Sequence, residues 1–168
     1  MMHRYILLLF SLLLLACGNS TAQVEHQPVM ASANSDAEFA DAMIDKVFQN
    51  YLHLRSALVN ADTESAVTAA RAISEALTDE WRGAKTAAFV ISLTRDITAQ
   101  RAAFADLSEE IAPLIEHGLK TGTIYKMHCP MAFDGAGADW FSEVAEVRNP
   151  FYGDKMLTCG KVTDTISK

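Results

Sequence analysis

The sequence has little that marks a catalyst or a nucleic-acid binder. It contains no GxSxG elbow, Walker loop, HExxH or CxxC, and Gly135-Ala136-Gly137-Ala138 lacks the spacing and helix start of a dinucleotide loop. An enzyme is therefore not expected. Basic residues are scarce as well: Lys and Arg number 14 against 21 Asp and Glu, a formal net charge of -7. That balance lacks the basic footprint nucleic acid requires, so DNA and RNA are excluded as partners. Cysteine is limited to three residues in a chain of 168. At this length one ordinary domain with a sizeable core is expected, and two are not.

Long hydrophobic runs are missing too, with one partial exception. The chain opens MMHRYILLLFSLLLLAC, in which Arg4 precedes an apolar run from Tyr5 to Ala16. The run falls short of the roughly 20 residues that span a bilayer, and the small residue before its end suits cleavage. Residues 1–16 therefore read as a signal peptide. Leu14-Leu15-Ala16-Cys17 resembles the lipobox of bacterial lipoproteins, and an ordinary secretory signal cut nearby is the competing reading. The resemblance implies a lipidated Cys17 as the mature N-terminus, held firmly on a membrane by several acyl chains. With Gly18 after the cysteine instead of aspartate, it also implies sorting to the outer membrane, facing the periplasm. Removal of the leader takes away Arg4 and no acid. Residues 17–36 are small, polar and aperiodic, a tether in which His26 and Met30 are incidental, since a disordered segment must be ordered before it chelates.

Residues 37–121 carry helical periodicity. Phe39, Met43, Val47, Tyr51, Leu54 and Leu58 recur every three or four residues and predict a first helix. Asn60-Ala61-Asp62 breaks it, Asp62 caps a second helix bearing Val67, Ala70, Ile73 and Leu77, and Thr78-Asp79 is expected to cap a short third with Trp81, Ala84, Ala88 and Ile91. Ile97, Phe104, Leu107, Ile111 and Leu114 predict a fourth helix from Asp96 to His117, bent by Pro113 and ended by Gly118. The expected fold is mainly α: an antiparallel four-helix bundle with a loop-rich C-terminal cap containing one or two short strands. His53 and His117 fall at the surface or core edge of these helices.

The cap, residues 122–163, holds the remaining sulfur chemistry in KMHCPMAFDGAGADW and KMLTCG. If residues 124–131 are extended, Met127, Cys129 and Met131 share one face and His128 points away. Met156 and Cys159, three apart, suit a turn. Thiolate with thioether favours Cu(I), whereas structural zinc would call for CxxC or HxxxH spacing. Cys129, Met131, Met156, Cys159 and His128 are thus candidate ligands for Cu(I) or Ag(I). The competing reading is a Cys129–Cys159 disulfide, worth about 3 to 5 kcal/mol in the chain-entropy model, with the methionines as core filler. Trp140 would either offer its π face to a bound cation or pack the cap onto the helices. Asp134, Asp139 and Asp154 read as turn residues.

Several motifs together, Cys129-Pro130-Met131, Gly137-Ala138-Asp139-Trp140, Arg148-Asn149-Pro150, Tyr152-Gly153-Asp154-Lys155-Met156 and Cys159-Gly160, resemble domain-of-unknown-function family 3347. The resemblance reaches back through residues 101–108 and covers about 38–163, the C-terminal motif being the more specific part. It implies a helical domain followed by this cap, found alone behind a signal sequence or joined to copper/silver efflux adaptor proteins, with a periplasmic role in handling those metals. A looser similarity is to heavy-metal motifs of the form Tyr-x-Cys-Pro-Met-His-Pro, from which Ala132-Phe133 departs. The resulting expectation is an envelope lipoprotein that binds Cu(I) or Ag(I) and assists efflux, with a copper/silver efflux adaptor or another envelope protein as its partner. The alternative is a disulfide-stapled helical domain that docks an envelope partner without metal.

Overall fold

A computed structural model describes residues 36–168; the leader, Cys17 and the tether with His26 and Met30 lie outside them, Asp36 excepted. The described chain is rich in helix, with two small sheets. Helix α1 spans Ala42–Val59 and starts where Asp41 accepts hydrogen bonds from the Met43 (2.7 Å) and Ile44 (3.4 Å) amides. This cap satisfies two of the amides that lack helical partners, and it leaves Phe39 outside the helix expected to contain it. Phe39 instead belongs to strand β1 (Glu38–Phe39) and packs on Phe48 with ring centroids 5.1 Å apart.

Helix α2 (Thr63–Ala76) begins at Asp62 as the sequence predicts, the carboxylate accepting from the Ser65 amide and hydroxyl. The third boundary differs. Thr78 makes no side-chain cap bond; a 3₁₀ turn at Asp79–Trp81 runs directly into α3 (Arg82–Ser92). Helix α4 (Ile97–Gly118) is capped by Asp96 and contains Pro113. At its end Gly118 does not adopt a left-handed conformation; the chain turns extended at Leu119 and enters β2 (Leu119–Thr121), which pairs antiparallel with β1. A Cβ at 118 would lie 2.7 Å from Ile44 Cδ1, so a larger residue there would have to displace that side chain. Each helix packs on the next in sequence, and α1 also meets α4. None of these helices is long and apolar enough to cross a membrane.

The C-terminal part contains three strands where one or two were expected. Strand β3 (Thr123–Cys129) lies at the centre, with β4 (Ala138–Ser142) antiparallel on one side and β5 (Lys161–Ser167) antiparallel on the other. The sheet therefore runs past residue 163.

Helices and sheet share one hydrophobic core. Tyr51 of α1 stacks on Phe104 of α4 at 5.0 Å and meets Phe141 of β4 edge-on at 6.4 Å, while Phe104 touches Phe151 of the following loop at 5.9 Å. Polar groups cross the same boundary. The Ser108 hydroxyl donates to the Phe104 carbonyl (2.8 Å), so its oxygen accepts from the Tyr51 hydroxyl (2.7 Å), which itself accepts from the Phe141 amide (3.1 Å). Arg55 is buried and forms a bidentate pair with Glu143 (2.9 and 3.1 Å), one guanidinium nitrogen also donating to the Ser142 hydroxyl.

Candidate functional site

Opposed residues of an antiparallel pair face the same side, so the register of β3 with β4 sorts the candidate ligands. Lys126 opposes Phe141 and His128 opposes Asp139; Met127 opposes Trp140 and Cys129 opposes Ala138. The first set looks toward the helices, where Lys126, His128, Asp139 and Phe141 line a groove of about 540 Å³ with Asp106 and Glu109 of α4. The second set is covered by the loop that follows β4. There Trp140 packs edge-on against Phe151 at 5.8 Å, and a Cβ at Gly160 would lie 2.8 Å from Trp140 Cη2. Gly160, at φ 138°, combines that close approach with a backbone region side chains avoid.

The loop is held by one buried side chain. Asn149 accepts the Phe151 (2.8 Å) and Tyr152 (3.3 Å) amides on Oδ1 and donates from Nδ2 to the Cys159 carbonyl at 2.8 Å. Its own amide bonds the Leu157 carbonyl and its carbonyl accepts from Gly153. Every hydrogen-bonding group of Asn149 is thus used to fold the segment back and present Cys159 to β3. The Sγ atoms of Cys129 and Cys159 lie 3.5 Å apart as free thiols, Cys129 fully buried and Cys159 partly so. The hydrogen bond with Cys129, followed by burial, pushes the Cys159 thiol above its usual range.

The methionines divide. Met127 is core, with no exposed surface, whereas Met131 and Met156 are 52 % and 36 % exposed. Met156 and Cys159 sit on one turn, as their spacing predicts, the Cys159 amide bonding the Met156 carbonyl at 3.0 Å. Met131 is not placed by strand alternation with Cys129, because β3 stops at Cys129 before Pro130 and Met131 falls in the ensuing turn. Its backbone is nonetheless tied to the cysteine loop: the Tyr152 hydroxyl donates to the Met131 carbonyl at 2.5 Å. His128 is not brought to the thiols. Its Nδ1 pairs with Asp139 Oδ1 at 2.6 Å, and Lys126 approaches the other carboxylate oxygen at 3.4 Å. Asp139 is therefore a partner in a strand, not a turn residue. Trp140 is fully buried and packs edge-on against Phe151, as the packing alternative of its two readings expects.

Sequence reading held Asn149 and Tyr152 only as members of motifs, without their hydrogen-bonding roles, and missed the Arg55–Glu143 pair. The Asn149-Pro150 dipeptide carried a signal for the first, since Asn before Pro initiates turns through its side chain. Nothing local announces an ion pair between Arg55 and Glu143, which are 88 residues apart.

These features define a helix-rich domain with a small sheet and a two-thiol loop closed over one face of that sheet. Residues 47–122 match the family model described as "Protein of unknown function (DUF3347)". The match covers α2 to α4 and most of α1 and ends before Cys129, so the segment with the most specific motifs lies outside it. No curated protein and no solved structure matches the chain.

Proposed function

We propose that this is a non-enzymatic envelope lipoprotein that captures Cu(I) or Ag(I) through the Cys129 and Cys159 thiolates, assisted by Met131 and Met156. In this reading it is anchored through Cys17, on the periplasmic side of the outer membrane, and hands its metal to a copper/silver efflux adaptor or another envelope protein. The four long helices form an antiparallel bundle that supports the sulfur loop; short links, packing of each helix on the next and contact of α1 with α4 support that arrangement.

The observation that carries the reading is the pair of thiols 3.5 Å apart, on the two segments that also expose Met131 and Met156. Two sulfurs on one metal at bonds of roughly 2.3 Å, the length found at zinc, are about 3.8 Å apart at a tetrahedral angle. From the observed spacing, chelation asks for a separation of about 0.3 Å, whereas a disulfide of about 2.04 Å asks for an approach of about 1.5 Å. Exposure also removes the core-filler explanation for both methionines, and thioether with thiolate is the soft donor set that selects Cu(I). His128, bonded to Asp139 on the other side of the sheet, is left out of the ligand set.

The test is an anaerobic titration of the reduced full chain with Cu(I) against a competing chelator. One Cu(I) per chain is expected, with Cys129→Ser/Cys159→Ser weakening binding more than about 100-fold, beyond the loss caused by an outer-shell partner. Equal binding by the double variant would end the proposal. The same contact between thiols favours one second reading, a disulfide that pins the loop in an oxidising compartment. A thiol count on protein taken from its native envelope without reductant separates the two, finding two free thiols for a metal site and none for a staple.

A further inference from the structure

Helix α3 leaves three large apolar side chains in solvent: Phe89 at 52 %, Val90 at 45 % and, at its C-cap, Leu93 at 67 % exposure. Positions 89 and 93, and 90 and 93, are neighbours on a helix surface, so the three form one patch. Single exposed hydrophobics are ordinary, but a contiguous patch of large ones marks an interaction surface. Val90 also lines a groove between α3 and α4, about 620 Å³ in volume, with the small residues Gly83, Ala87 and Ala103 and the carboxylates of Asp106, Glu109 and Glu110. These three acids are exposed, and among the described residues none has a Lys, Arg or His within salt-bridge reach. Some exposed acids elsewhere are matched, as in Glu64 with Arg95, Asp79 with Lys85 and Glu146 with Arg148, and others such as Glu75, Glu80 and Asp164 are not; the groove differs in bringing three unmatched carboxylates together beside an apolar patch. The groove contributes one cation, Arg82, against three anions.

We propose that the α3 patch and the acidic groove beside it form a docking site for an amphipathic helix of a protein partner, its apolar anchors flanked by Lys or Arg. Apolar side chains supply the contact area at Val90 and Leu93, and the unmatched carboxylates select the sign of the rim. A second copy of this chain fits poorly, because each copy would present the same three acids to the other. An anionic lipid surface is repelled for the same reason. The site is separate from the thiols and does not depend on their function.

The test uses a dye-labelled amphipathic Leu/Lys helix and a Leu/Glu counterpart, with binding to the purified full chain followed by fluorescence anisotropy. The Leu/Lys peptide is expected to bind with an affinity that falls as salt rises, and the Leu/Glu peptide is expected not to bind. Val90→Ser/Leu93→Ser should weaken binding about tenfold, as loss of central apolar anchors does. Asp106→Asn/Glu109→Gln should weaken it about threefold and flatten the salt dependence. All four positions are exposed, and an unchanged far-UV circular dichroism spectrum verifies the fold of each variant. Equal affinity of the Val90→Ser/Leu93→Ser chain overturns the proposal, because it reduces the binding to diffuse charge attraction. So does a concentration-dependent dimer in sedimentation that this variant abolishes, which assigns the patch to a second copy. Binding to phosphatidylglycerol vesicles that the variant abolishes also overturns it, in favour of a lipid surface. Cys129→Ser/Cys159→Ser is expected to bind the peptide like the wild type.

Discussion

The hydroxyl of Tyr51 fixes three elements through one atom. Ser108 spends its proton on the Phe104 carbonyl, so Tyr51 donates to Ser108 and remains an acceptor for the Phe141 amide. Tyr51→Phe strands that amide in the core, and a loss of about 1–3 kcal/mol in urea denaturation is expected. Asn149 plays the corresponding part in the loop. Asn149→Ala should cost a similar amount, about 1–3 kcal/mol, and slow diamide-driven closure of Cys129 with Cys159, because among the described residues Asn149 is the partner that holds the Cys159 carbonyl. The thiols carry a sign for pH. The Cys159 pKa is raised in the folded state, chiefly by its hydrogen bond with Cys129. The contribution to stability is therefore full below the ordinary thiol pKa of about 8.5 and is lost as pH rises through the folded value. Alkylation of Cys159 followed against pH should show a midpoint that moves down in Cys129→Ser. Since thiols must lose protons to bind metal, Cu(I) affinity should rise with pH across that range.

At the scale of elements, caps set boundaries and pairing sets faces. Asp62 holds the start of α2 through the Ser65 amide and hydroxyl, and those bonds keep its carboxyl below the usual range. Asp62→Ala should cost about 1 kcal/mol at neutral pH by thermal melting. A lowered pKa means the benefit is present above the unfolded value near 3.9 and is lost as pH falls through the folded one, so wild type and variant should converge in acid. The four long helices were legible because each presents an apolar residue every third or fourth position, and the cap at Asp62 was legible because its effect is local. The rest was not. Phe39 keeps the helical spacing yet sits in a two-residue strand, because Asp41 takes the amides that would have joined it to α1. Strand β5 was hidden by its polarity: only Val162 and Ile166 of its seven residues are even partly buried. The meeting of Cys129 with Cys159 was anticipated from their chemistry, whereas the condition that would place Met131 by strand alternation is not met, because the strand ends at the residue before Pro130.

Across the whole molecule, the helices and the C-terminal sheet depend on each other. Arg55 and Glu143 form a buried bidentate pair between α1 and the residue after β4, with 7 % and 5 % of their side chains exposed. Glu143→Gln leaves the guanidinium without its counter-charge and should cost about 3–5 kcal/mol, whereas Arg55→Met/Glu143→Leu should cost clearly less, since an apolar pair avoids that burden. Comparing urea midpoints of the two variants checks the ordering. Residues 36–122, which include the whole family match, are expected to bind a hydrophobic dye and melt without a cooperative transition, because Tyr51, Phe104 and the Phe141 contacts would be opened to water. At its other end the described chain is stitched in as well, through the pairing of Glu38–Phe39 with Leu119–Thr121. A sequence family drawn around the helices therefore outlines less than the unit that folds. The sulfur loop is consequently not a portable cassette: grafting Cys129 and Cys159 onto a foreign scaffold would transplant the ligands without the aromatic floor and the Asn149 clasp that bring them together, and a transferable version has to begin near Asp36 and carry all four helices with it.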